Sequence, residues 1–336
     1  MPVDKLTHRR LISIVGFLIL FGFTIWLYAA GTYQSFQNYA LVGVVLAVVT
    51  IAVLYESGRE WRHAYLGDTE EQRWNLPPDI LSFLSVFAGA MITFILSVDL
   101  GHGAVVASGL VGIFGAAVIK PYAVPLYCGA FVGMSSGAVF NHGGLALAGA
   151  AAGVLFVMSK HVFNGFGGKL GTIAFSGGVF SATVLGLPTL SDAVMQWDVG
   201  GLLVVYCVIG AFLTFVLSVW FGQGPVMASG MVALAGGILL PPIYGADLGG
   251  TLAIGVTCAT YAGMSGTNRF EQARWMLPAG VLCAFILMYT APYLGGIGGK
   301  LGTTAFGAVI GIRGLIMIVD RLKPLPEEER AEGMTS

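Results

Sequence analysis

The sequence predicts an all-α polytopic membrane protein with about twelve membrane segments: two N-terminal helices, then two inverted five-segment repeats containing broken or re-entrant helices. Three observations carry this expectation. The 336 residues are 56% hydrophobic and 10% charged, against about 25% charged in an ordinary soluble domain, and mean hydropathy is +0.84. The string Gly167-Gly168-Lys169-Leu170-Gly171-Thr172-Ile173-Ala174-Phe175 returns as Gly298-Gly299-Lys300-Leu301-Gly302-Thr303-Thr304-Ala305-Phe306, changed only at Ile173 against Thr304. Threading the apolar runs alternately through a bilayer also puts the loop lysines and arginines on one side of it.

Taken in order, residues 11–30 form an apolar run preceded by Lys5, Arg9 and Arg10. The apolar core of a cleaved signal peptide is shorter, about 7–15 residues, so a retained helix is expected. A second follows over 39–55, and residues 1–56 make an N-terminal helix pair. Residues 57–78 contain Arg59, Arg62, Arg73 and several acids, closed by Pro77-Pro78. They read as a cytoplasmic connector, either a solvated loop or an amphipathic helix on the membrane surface. Repeat one is assigned to 79–192, with spans at 81–98, 104–119, 122–140, 144–159 and 166–187. Repeat two is 193–319, with spans at 202–221, 226–240, 248–266, 275–293 and 299–319. Residues 320–336 are too charged to pack and are expected to be a disordered cytoplasmic tail.

The duplication reaches beyond the lysine string. Thr93-Phe94-Ile95-Leu96-Ser97-Val98 aligns with Thr214-Phe215-Val216-Leu217-Ser218-Val219, then Ala107-Ser108-Gly109 with Ala228-Ser229-Gly230, and Gly133-Met134-Ser135 with Gly263-Met264-Ser265. Common order and spacing mark an internal repeat. With the N-terminus in the cytoplasm, Lys120, Lys160 and Arg269 to Arg274 all fall inside, which predicts a plasma membrane protein with both termini cytoplasmic. An odd number of spans per repeat then inverts the second repeat relative to the first. Such repeats recur in transporters, with the solute site near the midplane between them.

Composition excludes other classes. A net charge of -1 gives no footprint for nucleic acid. Cys128, Cys207, Cys258 and Cys283 lie in apolar runs without Cys-x-x-Cys spacing, so neither a disulfide framework nor a metal site is expected. Leu170 and Leu301 follow the lysines where a nucleotide-binding loop needs Ser or Thr. No cofactor is expected.

The candidate pathway residues come from the repeated strings. A centrally placed lysine costs roughly 2.5 to 3.5 kcal/mol on insertion scales, so Lys169 and Lys300 need a partner, water or a role. One reading is a site in which Gly167, Gly168, Gly298 and Gly299 bare backbone N–H groups and the lysines attract an anion or polar solute. The other is that both lysines snorkel to opposite surfaces. Ser108 and Ser229 either line the pathway with hydroxyls or serve small-residue packing. Thr172 and Thr303, beside Phe175 and Phe306, read as a polar rung at an aromatic constriction or as core. Asp99, His102 and His142 are the acid and base candidates of an alternative reading, an integral-membrane enzyme acting on a lipid. A non-transporting scaffold subunit is the third.

The two five-span repeats, the Ala-Ser-Gly segments, and Thr172, Phe175, Thr303 and Phe306 at the start of each last span resemble the layout of urea transporters. That family carries Leu-Pro-x-x-Thr-x-Pro-Phe at this place. Here Ala174 and Ala305 stand for the second proline, and Lys169 and Lys300 for the first. The resemblance implies a pore through each protomer between the repeats, and a trimer. The lysines shift the expected solute from urea toward an anion or carboxylate. The function expected is therefore a non-enzymatic channel or transporter for a small polar solute, anions included.

Overall fold

Hydrophobic periodicity resolves into helices throughout. A computed structural model describes residues 3–66 and 76–322. Its helices are α1 (Val3–Asn38), α2 (Ala40–Leu66), α3 (Leu76–Phe94), α4 (Ala104–Val118), α5 (Ala123–Gly133), α6 (His142–Met158), α7 (Lys169–Leu185), α8 (Trp197–Phe215), α9 (Pro225–Tyr244), α10 (Ala246–Gly263), α11 (Met276–Tyr289) and α12 (Lys300–Leu322). The only β pairing among the described residues is an isolated bridge between Leu190 and Gly295. Six helices, α1, α2, α3, α8, α9 and α12, are long and apolar enough to cross a membrane, and α4, α6, α7 and α11 are shorter apolar helices. Large side chains such as Leu18, Ile51, Leu84, Val205 and Ile243 point outward uncovered, as they do where lipid is the solvent. The chain is a multi-pass all-α membrane protein.

Several boundaries differ from those expected. The run 122–140 holds only the half-length α5, because the chain leaves the helix after Gly133 and turns through 134–141. The last spans of both repeats start late, at Lys169 and Lys300, because Gly168 (φ 79°) and Gly299 (φ 88°) take left-handed backbone that glycine adopts without penalty. At the other extreme α2 continues eleven residues beyond the apolar run, so Arg59 and Glu60 of the connector are helical. Pro77 and Pro78 fall in the first turn of α3, where a missing N–H costs nothing. The surface-helix reading of the connector and the disordered tail fall largely on 67–75 and 323–336, outside the described residues.

The two repeats contact one another reciprocally. Gly167 N–H donates to Ser265 Oγ at 3.1 Å, and Gly298 N–H donates to Ser135 Oγ at 2.9 Å. Gly266 N–H donates to the Gly165 carbonyl at 2.9 Å, and Ser136 N–H to the Gly296 carbonyl at 2.8 Å. Each bond is the other's image with the repeats exchanged, the signature of a two-fold relation. Equivalent residues meet on the axis: Gly109 against Gly230 where α4 crosses α9, and Gly171 against Gly302 where α7 crosses α12. Gly168 lies against Phe306 and Gly299 against Phe175, so α7 and α12 overlap by their first turns and run in opposite directions.

The N-terminal pair breaks this symmetry. The Tyr28 hydroxyl donates to the Thr304 carbonyl at 2.8 Å, and its ring covers Gly307, while Gly311 and Gly314 take Val49 and Ala52 of α2. Helix α12 is thereby enclosed by α1 and α2, whereas of these two α7 packs chiefly on α1.

Candidate functional site

The site is built where two helix starts meet two helix ends. Each glycine-lysine string leaves a short lead-in after α6 or α11 and passes through one left-handed non-glycine residue, Phe163 (φ 53°) or Leu294 (φ 48°). These occupy equivalent places, so the same unfavourable backbone is kept in both repeats. The string then lies against the end of a helix from the opposite repeat. Gly167 sits on the Tyr261 and Ala262 carbonyls of α10, and Gly298 on the Phe131 and Val132 carbonyls of α5. A side chain at either glycine would hold the string away from its serine.

Two cavities flank this junction, lined by equivalent residues. The first, about 360 Å³, is bounded by Asn164, Gly165, Gly167, Gly168, Lys169 and Leu170, with Val124, Phe131 and Met264. The second, about 490 Å³, is bounded by Gly295, Gly296, Gly298, Gly299, Lys300 and Leu301, with Ile254, Tyr261, Met134 and Asp192. Between them stand Phe131 and Tyr261, equivalent residues whose ring centroids are 4.2 Å apart. The Tyr261 hydroxyl donates to Met134 Sδ at 3.3 Å. Tyr127 packs on Phe131 at 4.4 Å and shares a 3.0 Å hydrogen bond with Ser229, which is bonded in turn to Thr260 at 2.8 Å. The partition is thus apolar at its faces and tied by hydroxyls at its edge.

Of the residues singled out in the sequence, Gly167, Gly168 and Lys169 line the first cavity and Gly298, Gly299 and Lys300 the second. The lysines do not share one chamber. Ser108 and Ser229 are fully buried beside the partition: Ser229 bonds Tyr127, and Ser108 Oγ donates to the Val105 carbonyl at 3.0 Å. The glycines that follow them make the α4–α9 crossing, so the Ala-Ser-Gly repeat serves packing and hydroxyl ties together. Thr172 and Thr303 are buried, each with its hydroxyl directed back at the carbonyl four residues earlier at 3.5 Å. Phe175 packs on Phe23 and Phe306 on Phe163, away from both cavities.

Asp99 and His142 form a pair at 2.9 Å (Oδ2 to Nε2) on an exposed turn, with His102 also exposed. Among the described residues no cluster of three metal-ligating side chains occurs. Sequence reasoning missed Asn164, which accepts from Lys169 Nζ at 3.0 Å, and Arg269, which holds the Asn164 carbonyl at 2.8 Å while forking onto Glu60 at 2.6 and 3.0 Å. The available signal was Arg269 lying four residues after Ser265 in a repeat already aligned.

The fold and the paired cavities define a duplicated, multi-pass helical membrane protein with a partition at its centre. No family model, curated protein or solved structure matches the chain.

Proposed function

We propose that the protein is a channel or transporter for a small polar solute, anions included, whose pathway runs between two inverted repeats through the first cavity, the Phe131–Tyr261 partition and the second cavity. The observation that carries this reading is the pair of equivalent cavities meeting at one ring pair on the two-fold axis. In this reading the antiparallel α7 and α12 lie across the bilayer, which puts the axis in the membrane plane and the cavities on opposite faces. The first cavity, beside Lys160 and Arg269, faces the cytoplasm, and twelve crossings of the plasma membrane leave both termini cytoplasmic. The layout resembles that of urea transporters in these respects, and a trimer is the matching assembly.

Reconstitution into liposomes tests the proposal. Tyr261→Ala and Phe131→Ala remove the partition and are expected to raise flux several-fold and admit larger solutes. Wild-type vesicles no more permeable than protein-free ones to nitrate, urea, guanidinium and glycerol would remove it. The Asp99–His142 pair favours a second reading, a lipid-modifying enzyme. Lipid turnover by the purified protein, lost in His142→Ala, would select that one.

A further inference from the structure

Lys169 and Lys300 stand at equivalent positions but spend their ammonium groups differently. Lys300 Nζ donates to the Thr290 carbonyl at 2.5 Å and to the Tyr293 carbonyl, in the turn that follows the end of α11, where the Thr290 carbonyl also accepts the Tyr293 N–H at 3.0 Å. It also feels the charge of Asp192, which lines the same cavity. The equivalent carbonyls in repeat one belong to Ser159 and Val162, and Lys169 Nζ bonds neither. It reaches Asn164 Oδ1 at 3.0 Å, a neutral and exposed side chain whose counterpart in repeat two is Gly295.

Two neighbouring cations are each held by a carboxylate. Lys160 Nζ is held by both oxygens of Asp79 at 2.9 and 3.0 Å, and Arg269 by both oxygens of Glu60 at 2.6 and 3.0 Å. Glu60 and Arg269 act on Lys169 with opposite sign. The first cavity is therefore lined by Lys160, which is held by a carboxylate, and by Lys169, which is bonded to an amide, with the Glu60–Arg269 pair beside it, while the second is lined by a lysine facing carbonyl oxygens and by an aspartate.

We infer that Lys169 alone sets the charge selectivity of the pathway, drawing small anions into the first cavity in preference to cations of the same shape, and that Lys300 fixes the end of α11. This rests on the transport reading above. A lysine against a movable amide can transfer its hydrogen bonds to a passing anion, whereas one bound by two backbone carbonyls must first break the helix end.

Nitrate, urea and guanidinium test it, being planar, alike in size and different in charge. In proteoliposomes, Lys169→Gln is expected to lower the nitrate-to-urea flux ratio about tenfold, and Lys169→Arg to keep the ratio. Asn164→Asp, which opposes the lysine without removing it, is expected to lower the ratio as well and covers the case in which Lys169→Gln fails to fold. Lys300→Gln is expected to leave the ratio unchanged and lower the melting temperature. An unchanged ratio in Lys169→Gln, or in Asn164→Asp where the first variant does not fold, overturns the inference while leaving the pathway standing. An equal shift in Lys300→Gln does the same. Wild-type protein that passes none of the three solutes removes the transport reading itself, and the inference falls with it.

Discussion

Gly171 and Gly302 meet backbone to backbone: a Cβ added to either would collide with the Cα of the other. This is the point at which α7 and α12 pass on the two-fold axis, and it sets how closely the glycine-lysine strings approach. Gly171→Ala and Gly302→Ala are each expected to destabilise by about 1–3 kcal/mol, since a methyl has nowhere to go without separating two helices. Gly22→Ala and Gly201→Ala, in open space on α1 and α8, are expected to be neutral or to stabilise by up to about 1 kcal/mol. Unfolding in detergent separates the groups. Equal effects in all four variants would mean that the crossing is not tight.

Ser135 and Ser265 make the same pair of bonds in the two repeats. Each accepts a glycine N–H from the opposite string and donates to the carbonyl three residues earlier at 2.7 Å. Ser135→Ala leaves the Gly298 N–H buried with no acceptor, at a cost of about 1–3 kcal/mol, and Ser265→Ala does the same to Gly167. The two losses are expected to be alike, and each should loosen the cavity on its own side. Hydrogen exchange at Gly298 and Gly167 reads this directly. Protection retained in the alanine variants would show that another group carries the bond.

The duplicated strings were legible in the sequence because glycine and lysine are conspicuous in an apolar chain, and their helix-breaking role followed from glycine density. The depth of the lysines was not legible. It depends on Gly168 and Gly299 turning left-handed and on α7 and α12 overlapping by their first turns, which spacing alone does not report. Phe131 and Tyr261 went unnoticed for a different reason. An aromatic within an apolar run looks the same whether it packs on lipid, on core or on its own counterpart across an axis. Thr172 and Phe175 show the converse: as a string they look like part of a pore signature, while both side chains are buried and Phe175 packs on Phe23 of α1. Hydropathy also placed the end of α2 too early, since it reports where the apolar run stops and is blind to a helix continuing through Glu60.

That continuation of α2 supplies the last prediction. Glu60, with its side chain 6% exposed, takes both nitrogens of the Arg269 fork, and Arg269 in turn stacks 4.2 Å from the Phe166 ring centre and holds the Asn164 carbonyl. The pair ties the N-terminal helices to the lead-in that carries Lys169. Arg269→Ala leaves a nearly buried carboxylate unmatched and is expected to cost about 3–5 kcal/mol. Glu60→Gln costs less, because the arginine keeps its ring and carbonyl and the amide oxygen still accepts. Arg269→Lys falls between them, retaining charge but losing the fork. The double variant Glu60→Gln with Arg269→Gln should recover part of the arginine loss, a coupling that a thermodynamic cycle measures. Additive losses would mean that α2 only lies beside the lead-in and does not hold it.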